Sequence, residues 1–246
     1  MKKCFLGLIA TIVTVSMLFS FVGCTKETPA ECFDYEKDDN HIIITGLVKT
    51  DLEKIVIPER IEGSFVTEIA YGAFEGCTSL KNVTIPDSVK EIDSYVFEGC
   101  TSLENVTIPD SVKEIAYRAF AGCTSLTSVT IPDSVEYIGS RAFYNCTSLT
   151  TVTISENLRD IEHYVFYGCT NLTSIIIPDS VTEIGSGAFY DCINLTSVTI
   201  PESVTKIGDR AFGNCSNLTN IIIPEGTYIN KYAFEGTGVK LPEKFN

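Results

Sequence analysis

The sequence predicts a mainly β solenoid, a stack of short coils sharing one apolar interior. Three recurrences predict it. Cysteine returns at a constant step of twenty-three, at Cys77, Cys100, Cys123, Cys146, Cys169, Cys192 and Cys215. Phenylalanine keeps the same step at Phe74, Phe97, Phe120, Phe143, Phe166, Phe189 and Phe212. Leucine does so at Leu80, Leu103, Leu126, Leu149, Leu172, Leu195 and Leu218. A fixed period in the low twenties means one supersecondary unit per repeat.

Taken in order, the chain opens with Lys2-Lys3 and an apolar run from Phe5 to Val22 that ends in Gly23-Cys24. A charged start, a short apolar centre and a small residue before the cut describe an export signal over residues 1–23. The competing reading is an uncleaved spanning anchor, for which the run is near the lower length limit. Gly23-Cys24 resembles the lipobox of bacterial lipoproteins, although Phe21 stands where leucine is usual. That resemblance implies a lipid on the Cys24 sulfur, cleavage before Cys24 and acylation of the new amino end. Two or more acyl chains anchor stably where one is marginal. Residues 24–31 are then a polar tether.

Residues 32–54 read as a capping hairpin, with F-D-Y-E and H-I-I-I-T flanking the turn-like Lys37-Asp38-Asp39-Asn40. Such a cap covers the apolar edge of the first coil. The solenoid follows over residues 55–246. Its first coil is longer than the rest: the step from Ile57 to Ile85 exceeds the step from Ile85 to Ile108 by five. Glu62-Gly63-Ser64 is the expected place for the insertion.

Within a repeat, Leu126, Val129 and Ile131 alternate with polar Ser128 and Thr130, the pattern of a strand with one buried face. Pro132 ends the strand because it cannot donate a ladder hydrogen bond. Asp133-Ser134 suits a turn. Val135 and Ile138 line the opposite wall, Gly139 permits a bend, and Ala142 and Phe143 plug the interior. Burying a large apolar side chain is worth roughly 1.5–3 kcal/mol. Ordering one residue's backbone costs on the order of 1–2 kcal/mol. Each coil sends inward only Leu, two Val, two Ile, Ala, Phe and Cys, about a third of its length. A lone coil therefore does not fold, and coils must cover one another. The last coil is irregular: Phe234 follows Phe212 one position early, and Thr237 stands where cysteine is due. Val239, Leu241 and Pro242 with Lys240 and Lys244 read as a closing edge blunted by proline and charge.

Hydrophobic content is 44%, ordinary for a folded chain. The formal charge is −14, and two units more negative once Lys2 and Lys3 leave with the leader. That acidity disfavours nucleic acid or a bare anionic membrane surface as the main ligand. Cysteines stacked at one position lie roughly 4.8 Å apart, whereas a disulfide needs Cβ atoms about 3.8 Å apart. The seven are therefore expected as a buried column of free thiols. No C-x-x-C spacing exists and only His41 and His163 are present, so no metal site is expected. No cofactor motif, phosphate-cradling loop or catalytic triad is recognisable, and the enzyme class is set aside.

The surface rows of the V-x-I strand are readable. One runs Thr84, Thr107, Thr130, Thr153, Ile176, Thr199 and Ile222; beside it run Asn82, Asn105, Ser128, Thr151, Ser174, Ser197 and Asn220. Threonine suits exposed strand positions whatever its role. The functional alternative is that Asn82 to Thr199 along these rows form a partner-binding ribbon, with Ile176 and Ile222 as apolar spots. Tyrosines gather instead near the phenylalanine turn, at Tyr71, Tyr95, Tyr117, Tyr144, Tyr164, Tyr167 and Tyr190. Half-buried packing is their default, and contact with a partner is the alternative.

The repeat C-x-x-L-x-x-V-x-I-P-x-x-V-x-x-I-x-x-x-A-F resembles the treponemal-type, or BspA-like, leucine-rich-repeat family. The resemblance covers about Ile55 to Leu241. It implies a leucine-rich-repeat right-handed superhelix with the parallel sheet on its concave face. It also implies a bacterial surface protein linked to adhesion; together with the leader and the lipobox, the chain is expected to be exported and lipid-anchored to the cell membrane or outer membrane, facing outward. The expected partner is a protein or glycan on host matrix or another cell, with the membrane touched only through the anchor. The other class kept open is a structural spacer or cell-envelope component without a dedicated ligand.

Overall fold

The structure is a computed structural model that describes residues 26–38 and 40–240. The leader with Cys24, Asp39 of the hairpin turn, and Leu241, Pro242 and Lys244 of the expected closing edge lie outside the described residues. Among the described residues there is no α-helix; strands of two to seven residues alternate with turns.

Coils join on three sides. The V-x-I segments form a first parallel ladder. Lys54–Val56, Asn82–Thr84 and Asn105–Thr107 pair in strict register, as do Ser128–Thr130 with Thr151–Thr153 and Ser197–Thr199 with Asn220–Ile222. The coil between the last two groups keeps only a single bridge, Ser174 to Ser197. A second parallel ladder adds to this one. Ser64–Ile69, Glu91–Ile92, Glu114–Ile115 and Tyr137–Ile138 are its first half. Asp160–Ile161, Glu183–Ile184, Lys206–Ile207 and Tyr228–Ile229 are its second. The third side is an arc of turns: the N–H of Phe120 donates to the Ala142 carbonyl of the next coil at 2.8 Å, and Phe97, Phe166 and Phe189 repeat the bond at 2.7–2.8 Å. Buried backbone groups need such partners, and on this side stacking supplies them between successive coils.

The corners follow from local chemistry. The Val135 N–H donates to the Pro132 carbonyl at 3.0 Å, closing the P-D-S-V turn. Where Ser155 replaces proline, Leu158 closes the same turn on the Ser155 carbonyl, and the buried Ser155 hydroxyl donates to Val135 O at 2.6 Å. Gly139 does not serve the bend expected of it. Its φ is not left-handed; instead a Cβ there would sit 2.7 Å from the backbone of Ala116 and Tyr117 in the preceding coil. The glycine permits close approach of coils.

The interior is one continuous cluster from Phe33 to Phe234. At its centre eight phenylalanines stack in a column from Phe74 to Phe234, with centroids 5.1–5.6 Å apart and ring planes within 29°. Offset aromatic stacking of this kind contributes about 0.5–1.5 kcal/mol per pair beyond area burial. The thiols form a parallel column. Cys100 donates to the Phe74 carbonyl at 3.1 Å, and Cys123, Cys146, Cys169, Cys192 and Cys215 repeat the contact at 3.1–3.3 Å. All seven column cysteines are free, as is Cys32. Burial pushes the ionisation of the column thiols up, to about 12 for Cys100, Cys146 and Cys215. In the irregular last coil the Thr237 hydroxyl donates to Phe234 O at 2.8 Å.

At the amino end, Phe33–Asp38 and His41–Leu47 pair antiparallel, and the second of these strands runs parallel to Ser64–Ile69. The extra residues of the first coil make a small hairpin, Arg60–Ile61 against Ser64–Ile69. Its two turn residues, Glu62 and Gly63, have φ of +50° and +79°, the left-handed pair that a tight hairpin twist requires.

Candidate binding surface

The first ladder places the predicted ribbon as two aligned rows. Register pairs Asn82 with Asn105 and Thr84 with Thr107, then Ser128 with Thr151 and Thr130 with Thr153. Ser197 faces Asn220 and Thr199 faces Ile222. Asn82 and Thr84 are half-buried; Asn105, Thr107, Ser128, Thr130, Thr151, Thr153, Ser174, Ile176, Ser197 and Thr199 are exposed. The alternation holds because Val83, Val129, Ile175 and Val198 between them turn into the core. Asn105 Nδ2 donates to Asn82 Oδ1 at 3.1 Å, tying two adjacent coils of the row. The ribbon is not one continuous sheet, since the Ser174 coil carries only its bridge. That coil also holds, among the described residues, the most exposed large apolar side chain, Ile176 at 81%, with Ile222 at 62% two coils on.

The structure gathers part of the ribbon around a shallow depression of about 590 Å3, lined by Asn105, Thr107, Ser128, Thr130 and Thr153. Asp110 and Asp133 line it too. In the sequence these aspartates read as turn formers; their recurrence two residues after the strand's last isoleucine is the signal of a shared row. They give an otherwise neutral ribbon an acidic rim.

The second ladder is also acidic at one end. Glu91 and Glu114 are register partners. Burial, then the charges of Glu114, Asp93 and Glu68, push the Glu91 carboxyl above its ordinary value. Further along, Lys113 pairs with Glu136 at 3.2 Å and Lys206 with Glu183 at 2.6 Å, tying adjacent coils at the surface. Exposed pairs of this kind are worth at most about 1 kcal/mol. His163 accepts the Ser186 backbone N–H on Nδ1 at 2.9 Å, so its ring bridges two coils.

The turn arc carries the tyrosines. Tyr71, Tyr95 and Tyr117 follow one another with centroids 4.9 and 5.4 Å apart. Tyr144, Tyr167 and Tyr190 stack at 4.7 and 5.0 Å with planes within 11°. Two arginines interleave with them. Arg141 lies 4.8 Å over the Tyr164 ring and donates to the Tyr117 hydroxyl at 3.2 Å. Arg118 pairs with Glu98 at 2.5 Å and lies 5.8 Å over Tyr95. Of the seven tyrosines only Tyr71 is largely exposed; the other six are half-buried.

No helix among the described residues is long and apolar enough to cross a membrane. Among proteins of curated function, none matches the chain. Among solved structures, the chain is similar to the leucine-rich-repeat protein TpLRR of T. pallidum, at 36% identity over 85% of this chain and 91% of that one, with a TM-score of 0.60. A leucine-rich-repeat protein from Bacteroides ovatus is 30% identical over 85% of this chain and 62% of its own, with a TM-score of 0.64. One from Eubacterium ventriosum is 28% identical over 78% and 60% respectively, with a TM-score of 0.65. The sequence profile of the BspA type leucine rich repeat region matches residues 47–166 and 138–243 in six copies. With the repeat period, the stacked ladders and these matches agreeing over most of its length, the chain belongs to the BspA-type leucine-rich-repeat family.

Proposed function

We propose that this chain is a lipid-anchored bacterial surface protein that holds a macromolecular partner, a protein or a glycan on host matrix or another cell, by the exposed rows of its first ladder. One observation supports the placement most: the candidate residues recur in register on successive coils, so a partner lying along the axis meets the same small hydroxyls and amides repeatedly. Ile176 and Ile222 add apolar contact at one end, and Asp110 and Asp133 add an acidic rim at the other. Repetition suits an extended partner because many weak contacts add without any single anchor. Cys24 is the proposed lipid attachment point, after cleavage behind Gly23.

Two experiments test this reading. A pull-down with the solenoid against matrix proteins, mucins and bacterial surfaces asks for saturable binding. Loss of that binding in Thr107→Arg plus Thr130→Arg supports the ribbon; unchanged binding removes it as the site. Absence of any saturable partner leaves the spacer role. Intact-mass measurement of membrane-extracted protein tests the anchor, and retention of residues 1–23 contradicts it.

A further inference from the structure

The coil over residues 149–171 is joined to its two neighbours differently from the rest. On the second ladder, strands pair at every step from Ser64–Ile69 to Tyr228–Ile229 except one, Tyr137–Ile138 to Asp160–Ile161. The Glu136 and Gly139 N–H groups donate to the coil before them, at 2.9 and 2.7 Å, and those of Thr182 and Gly185 do the same at 2.7 Å. Arg159 and Glu162, their equivalents in the coil between, make no such bond. On the first ladder the gap falls on the coil's other flank. The Thr150 N–H donates back to Thr127 O and the Ile131 N–H forward to Thr153 O, each at 2.9 Å, yet neither bond recurs between this coil and the Ser174 coil. The first ladder also pauses between Asn105–Thr107 and Ser128–Thr130, but there the second ladder runs through, pairing Glu114–Ile115 with Tyr137–Ile138.

Turn chemistry accounts for the gap on the second ladder. Neighbouring coils turn on Pro-Asp-Ser, and the serine hydroxyl can reach back across the stack, as Ser111 does to Val89 O at 2.6 Å and Ser180 to Leu158 O at 2.7 Å. This coil carries Ser155-Glu156-Asn157 instead. Asn157 is longer than the serine it replaces. Its Nδ2 donates to Asp133 O at 2.8 Å, and Ser155, from the proline's place, takes over the bond to Val135 O at 2.6 Å. The Glu156 N–H adds a bond to Asp133 Oδ1 at 2.9 Å. The corner is thus tied, but beyond it the ladder does not form again until the next coil. A depression of about 720 Å3 opens there, lined by Glu136, Asn157, Arg159, Ser180 and Thr182. A long Ser140–Glu162 contact of 3.4 Å crosses the same seam.

The turn arc stays whole past both gaps. The Arg141, Phe143 and Asn145 N–H groups donate to His163, Val165 and Tyr167 at 2.7–3.0 Å, and those of Tyr164, Phe166 and Gly168 to Ser186, Ala188 and Tyr190 at 2.8–3.0 Å. The two widest steps of the phenylalanine column, 5.6 and 5.5 Å, flank Phe166 of this coil. We propose that residues 149–171 are a hinge built into the solenoid, at which the coils before and after it open as two units about the turn arc. One seam parts on the second ladder and the other on the first, so the coil holds each neighbour by two sides rather than three. Coils of a solenoid couple only to their neighbours, so the step with fewest bonds sets where the stack opens. Ile176 and the single Ser174 bridge lie at the second seam, so opening there changes the spacing between the two parts of the first ladder. The inference holds whether or not that ladder binds a partner.

The test is amide hydrogen exchange of the full chain, read residue by residue in rising urea below the unfolding transition. The Arg159 and Glu162 amides are expected to exchange at least tenfold faster than those of Thr182 and Gly185. The buried-coil amides of Phe97 and Phe189, one on each side of the hinge, are expected to open at different urea concentrations. The triple variant Ser155→Pro, Glu156→Asp, Asn157→Ser gives this coil the turn its neighbours carry. It is expected to slow Arg159 and Glu162 at least tenfold and to bring the Phe97 and Phe189 openings together. If that variant fails to fold, the parent chain decides alone. The proposal is overturned if Arg159 and Glu162 are as protected in the parent as Thr182 and Gly185, or if Phe97 and Phe189 open together there. A folded triple variant that still opens in two steps also overturns it.

Discussion

Replacing Phe143 by alanine strikes the middle of the aromatic column. The ring is fully buried and stacks on Phe120 at 5.2 Å and on Phe166 at 5.6 Å. Its backbone is held independently, by the Phe143 N–H to Val165 O bond at 3.0 Å, so the coil has little freedom to collapse into the hole. A buried Phe→Ala change costs about 3–5 kcal/mol, made of lost transfer energy and a residual cavity. Both stacking contacts go as well, and the upper end of that range is expected. Against a total stability of about 5–15 kcal/mol for a folded domain, this is a large fraction. Solenoid coils couple only to their neighbours, so a weak central coil also divides the array into two less cooperative halves. Urea unfolding followed by far-UV circular dichroism and tyrosine emission reads both effects. The midpoint is expected to fall, and the slope with urea to fall with it, because less surface is exposed per cooperative step. Ile176→Ala is the control, since that side chain is 81% exposed. A loss below about 1 kcal/mol for Phe143→Ala, or one equal to the control, would refute the continuous-core reasoning.

Further outcomes follow from the same geometry. Ile175→Ala should cost about 2–5 kcal/mol in urea unfolding while its neighbour Ile176→Ala stays within about 0.5 kcal/mol, because one residue's step along this segment exchanges core for solvent. Gly63→Ala should lose about 1 kcal/mol in thermal unfolding; nothing lies within 4 Å of the added Cβ, so the cost is that of a left-handed φ alone. The column thiols have raised pKa values in the fold, reaching about 12 at Cys100, Cys146 and Cys215, against an ordinary value of 9.0. Their stabilisation is complete below about pH 9 and is lost as pH rises toward the folded values, since only the unfolded chain releases its protons there. Each such thiol costs about 1.4 kcal/mol per pH unit in that window. Alkaline unfolding should therefore begin above about pH 9 and move upward in Cys146→Ala relative to its own neutral-pH stability; a pH-independent midpoint from 8 to 11 contradicts it.

The core was open to reading because its signals are periodic. Phenylalanine, leucine and cysteine at one step can only be stacked, and Val129 and Ile131 alternate with polar neighbours. The second ladder was not readable as strand: Glu91–Ile92 and its equivalents are two residues long, too short to show alternation, and pairing between coils creates them. The left-handed residues of the turn arc were hidden for a different reason. Tyrosine and arginine seldom adopt that conformation, and only Gly72 and Gly187 at the same position hinted at it. The surface rows were readable as positions, since register fixes them. Their grouping around a depression with Asp110 and Asp133 was not, because it depends on how the proline turns fold back beside the strands.

Site-resolved alkylation tests the shared interior most directly. The protein is exposed to a thiol reagent without reductant, native and then unfolded, and modification is followed at each cysteine by mass spectrometry. Cys77, Cys100, Cys123, Cys146, Cys169, Cys192 and Cys215 should stay protected in the native state and all react on unfolding. Rapid native labelling along the column, or failure of those sites to react once unfolded because they are oxidised to one another, would contradict the stacked-coil account.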